Sequence, residues 1–167
     1  SNRNFNANYG GLPKNVWLHV TDKLYQTLPL YSNLQTTGVY IYAEDIQVRA
    51  RKARIHAESE VKNETKKSQT VGYWVELLDR DGKLVKSFRG EEKKINPGEK
   101  VVLSAESEVE GLHFWSWGYG YLYTVKTALC IEGKKTDEVI TRTGFRKTRF
   151  ADGKVWLNDR VIQLKGF

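Results

Sequence analysis

Val71-Gly72-Tyr73-Trp74-Val75-Glu76-Leu77-Leu78, then Asp79-Arg80-Asp81-Gly82-Lys83, then Leu84-Val85-Lys86-Ser87-Phe88 is the stretch that decides the fold. Val71, Tyr73, Val75 and Leu77 alternate with Gly72, Trp74, Glu76 and Leu78, the period of two of a strand with one buried face. Asp81-Gly82 between the two runs predicts a hairpin turn, because both residue types tolerate positive φ. Working outward, the same period runs through Arg54 to Lys62, where Ile55, Ala57, Ser59 and Val61 share a face. It recurs from Lys100 to Val109, where Val101, Leu103, Ala105, Ser107 and Val109 do. Asn96-Pro97-Gly98-Glu99 launches that second run as a turn. Val39–Val48, Tyr121–Ile131 and Glu138–Phe145 complete about seven strands between residues 38 and 147. Helical periodicity is nearly missing. Half-buried strands at these intervals need a second sheet to cover their apolar faces, so the expected fold is all-β: an immunoglobulin-like antiparallel β-sandwich.

The flanks differ. Residues 2–15 are rich in Asn and Gly and lead into a candidate strand, Val16–Val20; residues 21–37 read as a connection. Lys154-Val155-Trp156-Leu157 and Val161-Ile162-Gln163-Leu164 around Asn158-Asp159-Arg160 predict a small hairpin, too little to stand alone. The expected division is 1–20 as the end of a preceding unit, 21–147 as the sandwich and 148–167 as the approach to a following one. With no Met in 167 residues and Ser1-Asn2-Arg3 at its start, the chain reads as a piece of a longer protein.

Composition narrows the chemistry. The hydrophobic share of 40% and aromatic share of 12% suit a packed core rather than a disordered chain. No apolar run approaches the roughly 18 residues of a membrane-spanning helix. A single cysteine, Cys130, excludes an internal disulfide and a multi-thiolate zinc site; mid-strand, it is expected to be a buried, inert thiol. His19, His56 and His113 lack the spacing of two ligands on one metal. Asp79-Arg80-Asp81-Gly82 has Gly90 where a calcium loop needs its twelfth-position Glu, so the turn reading holds. No phosphate loop, dinucleotide fingerprint or Gly-x-Ser-x-Gly elbow occurs. Neither a metal nor a cofactor is expected.

Two carboxylate pairs deserve weighing as glycosidase chemistry. Glu58/Glu60 and Glu106/Glu108 stand two apart on strands, about 6.6 Å between Cα atoms, which overlaps the spacing of an acid and a base. Catalysis needs the groups to face each other with one pKa raised. Carboxylates along one strand face point in parallel toward solvent, so no catalytic residue is assigned. The pairs sit in an internal echo, Ala57-Glu58-Ser59-Glu60-Val61 and Ala105-Glu106-Ser107-Glu108-Val109, read as two strands in equivalent half-buried positions.

The segment 113–123, His-Phe-Trp-Ser-Trp-Gly-Tyr-Gly-Tyr-Leu-Tyr, is the most unusual in the chain. Trp115, Trp117, Tyr119 and Tyr121 could stack on a sugar ring, as in an independent carbohydrate-binding module. They could equally pack on the sandwich or on a neighbouring domain, the reading preferred because the interleaved Gly residues let the backbone fold tightly.

Three passages in order resemble glycoside hydrolase family 2, the β-galactosidases, β-glucuronidases and β-mannosidases. Tyr9-Gly10-Gly11-Leu12-Pro13-Lys14-Asn15-Val16-Trp17-Leu18 is similar to the passage closing that family's N-terminal jelly roll, with Leu12 for Ile and Lys14 for Arg. Phe114-Trp115-Ser116 through Tyr121-Leu122-Tyr123 resembles the passage before the sixth strand of its immunoglobulin-like domain. Thr143-Gly144-Phe145-Arg146-Lys147, Trp156-Leu157-Asn158 and Leu164-Lys165-Gly166 resemble the run into its catalytic barrel, with Asp159-Arg160 in place of Gly-Lys. The resemblance implies a non-catalytic sandwich in a retaining, β-galactosidase-like hydrolase, joining jelly roll and barrel as its partners. It also implies an envelope or secreted bacterial parent, and that the paired catalytic Glu residues lie in the barrel and match no position here.

The total charge of +7 then acquires a location. Residues 142–167 hold Arg142, Arg146, Lys147, Arg149, Lys154, Arg160 and Lys165 against Asp152 and Asp159, a net of +5. Such an excess at one end predicts a docking face rather than the basic stripe of a nucleic-acid binder.

Overall fold

The computed structural model describes residues 18–28 and 35–163, which form twelve strands and no helix. The first sheet is built on β3 (Lys52–Asn63): β1 (Leu24–Gln26) and β2 (Val39–Gln47) pair in succession along one edge, and β7 (Lys100–Val109) pairs along the other. In the second sheet β4 (Gln69–Leu78) and β8 (Tyr123–Ile131) are central. The edge of β4 takes β5 (Leu84–Arg89) and β6 (Lys93–Ile95), and that of β8 takes β9 (Lys134–Thr143). All pairs are antiparallel. A third, small sheet follows, β10 (Thr148–Ala151), β11 (Lys154–Leu157) and β12 (Arg160–Ile162).

The seven long strands fall where alternation places them; the differences are local and physical. β1 and β6 have three residues each, too short to show a period. Glu132 and Gly133 both take positive φ and form a two-residue turn, so β9 starts at Lys134, four residues before the expected Glu138. The Asp79–Lys83 turn uses positive φ only at Gly82, with Asp79 Oδ1 accepting from the backbone N–H of Asp81 and Lys83 at 2.9 Å each. It is a longer turn with a bulge rather than the two-residue type. Of Val16–Val20, residues 16 and 17 lie outside the described residues; Leu18 to Val20 pair with no strand, and Leu18 and Val20 are exposed. Residues 2–15, with most of the first family passage, and Leu164-Lys165-Gly166 lie outside the described residues too.

The core lies between the two large sheets. Ile55, Ala57 and Val61 of β3 and Leu103 and Ala105 of β7 meet Val71, Tyr73, Val75 and Leu77 of β4 and Val125 and Leu129 of β8. Each large aliphatic side chain buried there contributes about 1.5–3 kcal/mol. The echo has a geometric meaning: its two copies run antiparallel and cross where Ala57 pairs with Ala105, two small residues side by side under the opposite sheet.

A polar cluster interrupts this core. Gln26, Ser59, Tyr73 and Thr127 are at most 3% exposed. Ser59 Oγ and Thr127 Oγ1 donate to Gln26 Oε1 at 2.9 and 2.7 Å, and Gln26 Nε2 donates to the Thr127 carbonyl at 3.0 Å. The Tyr73 hydroxyl lies 2.7 Å from Ser59 Oγ, and Asp137 Oδ2 accepts from the Gln26 backbone N–H at 2.8 Å. β1, β3, β4, β8 and β9 are thereby fastened at one point.

Burial pushes the Tyr73 hydroxyl up to about 12 from its ordinary 10.0. The folded state therefore holds that proton more tightly than the unfolded chain. This contribution is fully present below pH 10 and is lost as pH rises from about 10 to about 12, by up to about 3 kcal/mol. Urea titrations at pH about 9 and about 11.5 should show Tyr73→Phe losing less stability across that interval than the unmodified chain. Equal losses would contradict the assignment.

Candidate functional site

At one end of the sandwich the chain leaves β7 and enters β8 through the aromatic segment. Tyr123, at the start of β8, is buried, and its hydroxyl accepts the His113 backbone N–H at 2.7 Å. This resembles the tyrosine corner of immunoglobulin-like sandwiches, where a Tyr at the start of this strand ties back to the backbone upstream. Tyr121 is buried between His113 (ring centroids 4.6 Å apart, stacked) and Tyr123 (5.0 Å). Trp115 is half-buried: its backbone N–H donates to the Phe145 carbonyl at 2.8 Å, and the Arg146 guanidinium lies 5.3 Å from its ring centroid. Gly144 permits this approach, since a Cβ there would stand 2.9 Å from both Trp115 Cβ and the Tyr121 carbonyl oxygen.

Trp117 and Tyr119 behave differently. Ser116 and Tyr119 close a tight turn with two backbone hydrogen bonds, 3.0 and 2.9 Å, and Gly118 supplies the positive φ it requires. Trp117 thus stands at the tip of a braced turn, 80% exposed, with Tyr119 43% exposed beside it. The four aromatic candidates therefore form no common platform. Two hold the corner together and two are displayed.

The displayed pair lines a cleft of about 400 Å³ with His113, Arg51, Asn158 and Arg160. Arg51 Nη2 donates to the Gly111 carbonyl at 2.8 Å and stands 2.8 Å from His113 Nε2. Partial burial, then the Arg51 and Arg80 charges, lower the His113 pKa below the ordinary 6.5, so the ring is neutral at pH 7. Its Nε2 accepts from Arg51, which leaves Nδ1–H to donate to the Tyr119 hydroxyl at 3.0 Å.

Asn158 is the residue that sequence reasoning missed. Asn158 and Asp159 both have positive φ and form the two-residue turn between β11 and β12. Asn158 Nδ2 donates to the Trp115 carbonyl at 2.9 Å, and its Oδ1 accepts the Lys147 N–H at 3.0 Å. One side chain sews the small sheet to the aromatic corner. The signal was present, since Asn favours such turns and Leu157-Asn158 sits in the third family passage.

Some of the basic residues of the segment from Arg142 to Arg160 have partners here. Arg149 stacks over Trp156 at 4.6 Å, and Lys147 Nζ lies 2.9 Å from Asp159. Phe150, on β10, is 76% exposed.

The carboxylate pairs lie elsewhere, on the outer face of the first sheet, each with its own partner. Glu58 accepts from the Tyr42 hydroxyl (3.0 Å) and Glu60 from Thr27 Oγ1 (2.8 Å); Glu106 lies 3.2 Å from His56 Nδ1 and Glu108 2.6 Å from Lys52 Nζ. Glu106 and Glu108 are solvent-exposed and Glu60 is largely covered, each held by its own partner. Glu44 and Glu106 flank opposite nitrogens of His56, and among the described residues no three His, Cys, Asp or Glu side chains converge as metal ligands. Cys130 is buried, with its thiol pushed up by burial.

The model of the family described as glycosyl hydrolases family 2 matches residues 38–146. A β-glucuronidase of Formosa agariphila is 31% identical over 168 residues, covering all of this chain and 17% of that enzyme. A solved structure of a β-glucuronidase from glycoside hydrolase family 2 superimposes with a TM-score of 0.78 at 31% identity, over 86% of this chain and 15% of that one. A putative β-galactosidase of Bacteroides fragilis gives 0.72 at 22% identity, over 85% of this chain and 20% of that one. The chain therefore spans about a sixth of the length of the β-glucuronidases it matches. The family match covers the second sheet, the first sheet apart from β1, and the aromatic corner, and on that ground the chain belongs to glycosyl hydrolases family 2.

Proposed function

We propose that this chain is the joining sandwich of a longer retaining glycoside hydrolase acting on β-glucuronides, and that the aromatic corner with the small sheet seats its neighbours. Residues 1–20 would then close a jelly roll, 21–147 form the sandwich and 148–167 lead into the catalytic barrel. One observation carries the reading: Trp117 is held out at 80% exposure on a turn braced from behind by Tyr121, Tyr123 and Asn158. Rigid display of a large apolar ring beside an arginine-lined cleft suits a partner surface. The sugar preference rests on the two relatives at 31% identity, both β-glucuronidases; the putative β-galactosidase, at 22%, supports the fold alone.

The isolated chain is expected to turn over neither an aryl β-glucuronide nor an aryl β-galactoside, and the longer protein to turn over the glucuronide. Turnover by the isolated chain, abolished by Glu58→Gln or Glu106→Gln, would overturn the non-catalytic reading. Preference of the longer protein for the galactoside would overturn the sugar assignment alone.

A further inference from the structure

The outer face of the second sheet carries a depression that core packing does not explain. Ala128 and Cys130 of β8 are only 9% and 7% exposed, yet they point away from the core, because Thr127 and Leu129 take its side. On β4, Trp74 pairs with Ala128 and Gly72 with Cys130. Small residues thus occupy neighbouring outward positions where a sheet face ordinarily presents long polar side chains.

The hollow measures about 220 Å³. Trp74 forms one wall, with Arg89 of β5 stacked over its ring at 4.1 Å. The rim carries Glu76 and Lys126 on one side and Lys135 and Glu138 on the other, with Lys135 Nζ donating to Glu138 at 2.7 Å. Two cations and two carboxylates leave the rim without net charge. It shares no residue with the Trp117 cleft.

We propose that this depression binds a single neutral pyranose ring, its C–H face against the Trp74 indole and its hydroxyls bridging the lysine and glutamate rim. A ring-sized hollow with one aromatic wall supplies the apolar contact. Carboxylates and ammonium groups side by side match hydroxyls, which both donate and accept. An apolar side chain from a protein partner would fill the hollow but strip water from four charged groups without replacing their hydrogen bonds, a net cost. An anionic ligand would gain nothing from a rim of zero net charge. With a ligand of about a dozen heavy atoms, the dissociation constant should be on the order of 1 mM.

The test is a titration of the ¹⁵N-labelled chain with methyl β-glucopyranoside, followed by amide and indole cross-peaks. Trp74 Nε1–H and the amides of Ala128 and Gly133 should shift saturably, and Trp117→Ala should leave that response intact. Ala128→Leu, which fills the hollow, and Trp74→Leu, which removes the wall, should each abolish it. No saturable shift, shifts confined to Trp117 and Tyr119, or an unchanged response in both hollow variants would overturn the proposal. A stronger response to methyl β-glucuronide would overturn the preference for a neutral ring.

Discussion

Gln26→Ala is expected to cost about 3 kcal/mol of folding stability. Gln26 lies on a strand of three residues, yet its amide answers four groups at once. Truncation leaves the Ser59 and Thr127 hydroxyls without their acceptor and the Thr127 carbonyl without this donor, inside a core where water does not replace them. Each abandoned group costs about 1–3 kcal/mol; Ser59 keeps a second partner in Tyr73, and Thr127 Oγ1 only a long contact of 3.4 Å to the Val139 carbonyl. The loss should be largely recovered in Gln26→Leu/Ser59→Ala/Tyr73→Phe/Thr127→Val, which removes the clustered hydroxyls together with the amide. Urea unfolding of the single and quadruple variants gives the comparison. A loss under about 1 kcal/mol in the single variant would mean that the cluster does not carry the weight assigned to it.

Gly90→Ala should cost a similar amount, about 3 kcal/mol or roughly 6–12 °C in Tm. Gly90 follows β5, its N–H donates to the Tyr73 carbonyl at 2.9 Å, and it crosses against β7 of the opposite sheet. A Cβ at this position would stand 2.1 Å from the Ser104 carbonyl oxygen, a distance that only a backbone shift relieves. Gly72→Ala is the control. The nearest atom to its Cβ is 3.5 Å away, so the change should stay within about 0.5 kcal/mol. Equal effects from the two substitutions would place the close approach of the sheets elsewhere.

The long strands were legible because burying one face of a strand imposes a period of two, and Val71 to Leu77 or Ile55 to Val61 show it over at least four residues. β1 was not legible. Its importance lies in Gln26, a polar residue whose value exists only once Ser59 and Thr127 arrive from other strands. The aromatic corner was conspicuous by composition, but composition cannot separate Tyr121, buried against His113, from Trp117, displayed at a turn. That difference follows from where Gly118 and Gly144 let the backbone go. The Cys130 hollow escaped notice for a related reason. Alternation shows that Ala128 and Cys130 share a face, yet a small apolar residue is equally at home on either side of a sheet.

The small sheet carries the same lesson for charge. A net of +5 in residues 142–167 pointed to a docking face, and the structure gives three of those basic residues local partners: Arg146 on Trp115, Arg149 on Trp156, Lys147 on Asp159. Two large aromatic side chains are displayed with them, Trp117 beside the guanidinium groups of Arg51 and Arg160 and Phe150 on β10.

Oxidative footprinting read by mass spectrometry, comparing the isolated chain with the longer protein, tests that assignment most directly. Trp117 and Phe150 should be oxidised readily in the isolated chain and protected several-fold in the longer protein, while Trp74 is oxidised equally in both. Equal oxidation of Trp117 in the two forms would contradict a joining role for the aromatic corner.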